Sequence, residues 1–226
     1  NEELDTSQMI VSADYNYVEQ NIIPLKYRTY SQKYWDSRKL APSCLIFYVG
    51  INKKIRNLTH HNLFFDEDLI AHGKSIYENP GWPEAPLFYV CVPSKTDEQV
   101  APTGCENLFI LIPIAPGLKD TQEIKDKYFR TVLNRISMHT GEQITKSIVF
   151  KRDYCISDFK DDYNAFKGNA YGLANTLRQT ANLKPKIKSK LKNIAFCGQL
   201  TVPGPGIPPA LISGQIASNY LINNQL

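Results

Sequence analysis

The chain has 226 residues, with 26 Lys and Arg against 22 Asp and Glu, and a formal net charge of +4. Apolar residues make up 42% and charged residues 21%, which excludes a disordered, fibrous or low-complexity protein. The length allows one large domain or two small ones with a core that needs no staples. Basicity this mild gives no reason to expect a nucleic-acid partner.

In chain order, Met9-Ile10-Val11-Ser12-Ala13 predicts a short buried strand. Asp14 is placed to cap the following helix, with Val18, Ile22 and Ile23 apolar and Pro24 its stop. Residues 25–42 read as a connector whose Tyr27, Tyr30, Tyr34 and Trp35 pack onto the surface. Ser43–Gly50, Leu87–Val92 and Asn107–Pro113 are strand candidates rich in β-branched, aromatic and leucine residues, with Asn62–Phe65 a fourth. Asp66–Tyr77 predicts a helix between them. Asp120 with Glu123 reads as the N-terminal signature of the strongest helix. Its Ile124, Tyr128, Phe129, Val132, Leu133 and Ile136 line one face, and Gly141 ends it. Ile148–Lys151 predicts a strand, Ser157–Phe166 a polar helix, Gly172–Leu183 a further helix and Leu191–Cys197 a final strand. A loop from Gly198 to Pro209 leads into a closing helix, about Pro208 to Ile222, whose scattered small residues predict burial on several sides.

The five cysteines, Cys44, Cys91, Cys105, Cys155 and Cys197, form no C-x-x-C pair, so neither zinc nor a redox motif is expected, and a reducing cytosol fits. His60 and His61 are adjacent, and adjacent side chains on a strand point to opposite faces, so no metal site is expected there. Asp158, Asp161 and Asp162 read as a solvated helix face. Lys184, Lys186, Lys188, Lys190 and Lys192 alternate. They are either a solvated connector or a contact for anionic lipid headgroups. The most apolar stretch, Leu108–Leu118, is broken by Pro113, Pro116 and Gly117, so no membrane span is expected, although a membrane surface remains open.

The terminal strand–loop–helix carries the clearest chemistry. A helix N-terminus suits an anionic or carbonyl-rich ligand, and Gly204 and Gly206 let the backbone approach a flat one. The same spacing also suits a stiff Pro/Gly turn that merely redirects the chain.

Gly168-Asn169-Ala170-Tyr171-Gly172-Leu173, with Thr176-Leu177-Arg178-Gln179-Thr180 and Leu183-Lys184-Pro185 behind it, resembles the late signature of bacterial-type phytoene desaturases. The run Gly198-Gln199-Leu200-Thr201-Val202-Pro203-Gly204-Pro205-Gly206-Ile207-Pro208 resembles that family's C-terminal flavin loop. Leu40-Ala41-Pro42-Ser43, His60-His61, Pro93-Ser94-Lys95-Thr96-Asp97 and Val100-Ala101-Pro102-Thr103-Gly104 follow the family order, so the resemblance covers nearly the whole chain.

The resemblance implies an FAD-dependent oxidoreductase that desaturates carotenoid precursors such as phytoene by hydride transfer to flavin. Gly198, Gln199, Gly206, Ile207 and Pro208 would lie along the cofactor. The partners implied are a long polyene hydrocarbon and a membrane surface, in a cytoplasmic protein peripheral to the inner membrane. No catalytic base is assigned, and the oligomeric state is not indicated. Gln199 stands near a point where many relatives of this flavoprotein fold carry an acidic residue. No G-x-G-x-x-G turn is present, and the chain starts at Asn1 rather than Met. Both lead to the expectation of a C-terminal portion that does not itself retain FAD or activity, a homologue that lost the cofactor being the other reading.

The expected fold is α+β: an antiparallel or mixed sheet substrate domain with helices, plus the C-terminal strand–loop–helix of a Rossmann-like FAD-binding domain whose N-terminal part is absent. Residues 1–40 would be a remnant of the FAD-binding domain and a connector, 41–190 the substrate-binding domain, and 191–226 the closing FAD-domain segment. A related flavin amine oxidase, a carotenoid isomerase or saturase, and a non-catalytic lipid-binding module are the alternatives.

Overall fold

The computed structural model describes residues 3–223, so Asn1 lies outside it. Two compact units form: Ser43–Asp158, and the two flanking segments folded together. Residues 159–190 therefore belong with the chain's ends and not with the middle domain expected over 41–190. The reason is local: Leu40 bridges Leu173, Ala41 N donates to Gly172 O at 2.9 Å, and Ala174 N donates to Lys39 O at 2.9 Å.

The middle unit is a five-stranded antiparallel sheet in the order β3-β4-β5-β2-β6. Its strands are β2 (Ser43–Ile51), β3 (His61–Phe64), β4 (Phe88–Cys91), β5 (Glu106–Ile114) and β6 (Ile148–Tyr154). The nine-residue β2–β5 ladder is its spine, running from Ser43 opposite Ile114 to Ile51 opposite Glu106. One face, carrying Leu45, Phe47, Val49, Ile110 and Ile112, is buried in one hydrophobic cluster with Phe129, Val132 and Ile136 of α4 (Gln122–Thr140). Period-2 burial on β5 and helical burial on α4 interlock here as their apolar spacings predict.

The N-cap of α4 is Thr121, not Asp120. Asp120 instead accepts from Ser157 N at 3.2 Å and Ser157 Oγ at 2.7 Å, at the start of α5 (Ile156–Tyr163). Asp158 is likewise a local clamp, accepting from Cys155 N at 2.7 Å.

Two buried polar groups hold this unit. Glu106, 1% exposed, accepts from Ile55 N at 3.1 Å and pairs with Lys95 Nζ at 2.6 Å, while Lys95 also donates to Ile55 O. His72, buried on α3 (Leu69–Tyr77), accepts at Nδ1 from Leu87 N at 2.8 Å, so its Nε2–H donates to Pro113 O at 2.8 Å. That tautomer is neutral, and burial holds its pKa below the usual histidine value.

The flanking unit contains β1 (Met9–Val11) paired in parallel with β7 (Ile194–Phe196). α1 (Tyr15–Tyr17) continues as a π-helical turn over Val18–Ile22, and Asp14 caps it by accepting from Tyr17 N at 2.9 Å. The expected surface connector is anchored in the core: Trp35, Leu40 and Ala41 are buried, and Tyr27, Tyr30 and Tyr34 are half-buried against them. Trp35, on α2 (Gln32–Asp36), is 0% exposed and packs on Tyr15, Tyr30 and Phe166. Buried Glu19 reaches back to it, accepting from Thr29 N, Tyr30 N and Trp35 Nε1.

The helix expected over Gly172–Leu183 does not form. Its backbone is engaged with residues 39–41, and Gln179 hydrogen-bonds both Lys39 O and Ala174 O, leaving one 3-10 turn at Ala181–Leu183. The closing helix α6 (Ile207–Asn223) does form but is not buried on several sides: Ser213, Ala217 and Leu221 are covered, while Ile207 is 80% and Leu211 72% exposed.

Two outcomes follow. Lys95→Met or Glu106→Leu alone leaves a buried charge unpaired and lowers stability by about 3–5 kcal/mol, whereas the double substitution recovers most of the loss in urea unfolding. For His72, the unfolded chain takes up the proton more readily than the folded one. Stability is therefore full above the unfolded value of about 6.5 and declines as pH falls below it. His72→Gln flattens that slope in unfolding curves between pH 5 and 7, roughly.

Candidate functional site

The β1 and β7 strands end side by side, and a cavity of about 360 Å³ opens at their carboxyl ends. Ligands in open parallel sheets bind at this position because loops and helix starts converge there. Ser12, Asp14 and Tyr15 contribute from β1 and α1, Asn169 from the returning loop, and Cys197 and Gln199 from the end of β7.

The two stretches most distinctive in sequence meet at this cavity. Asn169, 1% exposed, accepts at Oδ1 from Gly172 N at 2.9 Å and from Gln199 Nε2 at 3.1 Å. Gly172 has φ +70°, and a Cβ there would lie 2.6 Å from Gln199 O, so glycine is required for this close approach. Gly198, φ +102°, donates its N–H to Ser213 Oγ at 2.8 Å, tying the loop to α6.

The five residues expected along a cofactor are therefore split. Gln199 lines the cavity and Gly198 adjoins it, whereas Gly206, Ile207 and Pro208 lie exposed at the start of α6 and do not line it. The helix start also differs chemically from expectation. Pro208 and Pro209 occupy its second and third positions and offer no N–H, while Ala210 N is already bonded to Gly206 O at 2.9 Å. A helix end this poor in donors is not built as a phosphate cradle.

The positive group at the loop is a side chain. Lys184 breaks from the exposed lysines at 186, 188, 190 and 192: it is 3% exposed, and its Nζ has no hydrogen-bond partner. A Cβ on Gly204 would lie 3.2 Å from that Nζ, so the amine packs directly beneath the glycine. Burial lowers its pKa from the ordinary lysine value. A buried, unsatisfied donor beneath a glycine with φ +131° fits a ligand that brings an acceptor. Alternation along the sequence grouped Lys184 with a solvated run; the flanking Leu183 and Pro185 do not distinguish it.

Asp14 is the cavity's carboxyl group. Burial raises its pKa, but its two oxygens accept from Tyr17 N at 2.9 Å and Phe166 N at 3.0 Å, which makes it a clamp and not a free base.

The middle unit carries a second feature of its own. The sheet face opposite α4 presents a row of rings across neighbouring strands: Tyr48 and Phe109 at 5.6 Å, Phe109 and Tyr89 at 6.3 Å, and Tyr89 and His61 at 5.9 Å. Half-exposed Tyr48 and Phe150 border a cleft of about 240 Å³ with Gly50, Pro93 and Phe109. An apolar row of this kind suits a long hydrocarbon better than a charged ligand. The histidines here depart from expectation. His60 precedes the regular strand at a bend, so its ring turns to the same side as His61, with centroids 4.3 Å apart.

No protein-family model matches the chain. It is 43% identical to the carotenoid 3,4-desaturase of Haloarcula japonica over 96% of its own length and 44% of the relative's. It is 29% identical to the 4,4'-diapophytoene desaturase of Staphylococcus haemolyticus, over 96% of this chain and 45% of that protein. The chain thus spans less than half the length of these curated relatives. An oxidoreductase from Methanosarcina mazei shares the fold, with a TM-score of 0.54 at 9% identity, over 96% of this chain and 43% of that one. Among the described residues, no helix is long and apolar enough to cross a membrane.

Lys184→Met removes the unsatisfied amine while keeping the stem's volume. It is expected to stabilise the chain at neutral pH by about 1–3 kcal/mol in urea unfolding. Because burial lowers the amine's pKa, the native chain gains stability as pH rises toward the unfolded lysine value of about 10.4, and the variant loses that rise.

Proposed function

The chain is homologous to the carotenoid and phytoene desaturases, and on that premise we propose that it is the part of such an enzyme that holds the polyene and completes the flavin site. The observation that carries the reading is the uncovered row Tyr48, Phe109 and Tyr89. A polyene is long, flat and without hydrogen-bonding groups, so its recognition must come from apolar area and stacking. The row runs across the strands, which lets a rigid rod contact successive rings without bending.

FAD, when bound, supplies the acceptor for the hydride removed from the hydrocarbon, and the protein supplies position and the exclusion of water. On this reading Gln199 is held toward the cofactor by Asn169, and Lys184 provides a donor beneath Gly204. Pairing with a cofactor acceptor relieves the cost of burying that amine. Gly198 adjoins the cavity, while Gly206, Ile207 and Pro208 close the loop outside it. No side chain is assigned as a base. Exposed Ile207, Leu211 and Ile212 on α6, together with exposed Lys186, Lys188 and Lys190, suit an anionic lipid surface from which an apolar substrate is drawn.

A chimera tests the assignment: this chain joined behind the preceding portion of the Haloarcula japonica relative, purified and supplied with carotenoid in liposomes. The 226-residue chain alone is expected to purify colourless, and the chimera to carry flavin and shift the carotenoid's absorption to longer wavelength. Tyr48→Ser with Phe109→Ala lowers turnover about tenfold, the equivalent of roughly 1.4 kcal/mol of lost contact, with flavin content unchanged. A flavin-loaded chimera that leaves carotenoids unaltered overturns the reading.

A further inference from the structure

A set of metal-ligating side chains lies at the end of the β3–β4 ladder, where two adjacent histidines meet a cysteine distant in sequence. His61 is the registered partner of Cys91, and His60, at the preceding bend, accepts from Val92 N through its carbonyl at 2.7 Å. One ligand atom from each of His60, His61 and Cys91 lies within 4.8 Å of the others. Around a tetrahedral zinc ion, Zn–N of about 2.0–2.1 Å and Zn–S of about 2.3 Å separate ligand atoms by roughly 3.3–3.6 Å. Small side-chain rotations close the remaining gap.

The surrounding hydrogen bonds prepare the rings for a metal. His60 Nδ1 lies 2.6 Å from Thr96 Oγ1, whose own proton points to Pro93 O at 3.4 Å. With the Thr96 oxygen accepting from Nδ1–H, the lone pair falls on His60 Nε2. His61 Nδ1 lies 2.5 Å from Tyr89 Oη, two residues before Cys91 on the same strand. A Tyr89 oxygen that accepts from His61 Nδ1–H leaves that ring's Nε2 lone pair free as well. Hydroxyls that orient imidazoles through Nδ1 are the outer support that metal-bound histidines require.

We propose that His60, His61 and Cys91 bind a single zinc-class divalent ion, with the fourth position open to water. Binding replaces the Cys91 thiol proton, released to solvent, by the metal–sulfur bond. The half-buried thiol and the exposed His61 ring leave an entry path from solvent. Two imidazoles and one thiolate select zinc or its cobalt surrogate over magnesium and calcium, which take oxygen ligands. The ion would tie the start of β3 to the end of β4. This assignment does not depend on the polyene reading.

Cobalt(II) titrated into the reduced 226-residue chain provides the test. The expected result is a near-ultraviolet thiolate-to-cobalt charge-transfer band that saturates at one equivalent and is displaced by zinc. Cys91→Ser abolishes the band. Thr96→Val keeps all three ligands but frees the His60 tautomer, and weakens cobalt binding about 10–100-fold. Absence of the band in the native chain overturns the proposal. So does its survival in Cys91→Ser, which would assign the sulfur to Cys105 or Cys197; far-UV circular dichroism confirms that the variant keeps the native fold.

Discussion

The flanking unit depends on the parallel pairing of Met9–Val11 with Ile194–Phe196, three residues a side, which joins the two ends of the chain. A parallel ladder this short is weak by itself, and side-chain packing secures it. Phe196 stacks on Tyr15 with centroids 3.7 Å apart, Tyr15 packs on Trp35, and Glu19 accepts the Trp35 ring N–H. Burying Glu19 raises its pKa, a cost met by the two backbone N–H groups and the indole that it satisfies. Because both strands end at the same level, the cavity with Gln199 and Asn169 arises directly from their pairing.

The two candidate surfaces rest on different physics. At the strand ends, irregular backbone is held by side chains. Asn169 serves three partners, Gln179 stands in for a helix turn, and glycines at 172 and 198 permit contacts that a Cβ would block or strain. Such over-determined loops hold polar groups in place. On the middle unit, the β2–β5 ladder and α4 make a rigid backing, and the opposite face presents the half-exposed rings of Tyr48, Phe109 and Tyr89. A face with that geometry recognises area and shape more than charge.

Much of the middle unit was legible from residues alone. The strands at 43, 88, 107 and 148 and the helix at 122 emerge within a few residues of their expected limits, because alternating and helical apolar spacings are local properties. Around the site, the resemblance singled out stretches 168–173 and 198–208, and they do meet through Asn169, Gly172 and Gln199. Residues 206–208 instead lie exposed at the start of α6, where paired prolines remove the donors that a helix start normally offers. Asp120 misled because a good cap residue satisfies whichever free N–H lies nearest, here that of Ser157.

By itself the sequence determined which segments seek burial, where extended and helical spacing prevail, and which glycines and prolines mark a loop. Tertiary structure alone decided what those segments meet. It buried Trp35 within the tyrosine-rich connector, replaced the helix expected at 172–183 by backbone pairing with residues 39–41, and sank Lys184 beneath Gly204. It also turned His60 at a bend toward His61 and brought Cys91 opposite them across a ladder. The physical reason is common to all of these. Local spacing states that a group must be buried or hydrogen-bonded, while the partner that satisfies it arrives from a distant part of the chain.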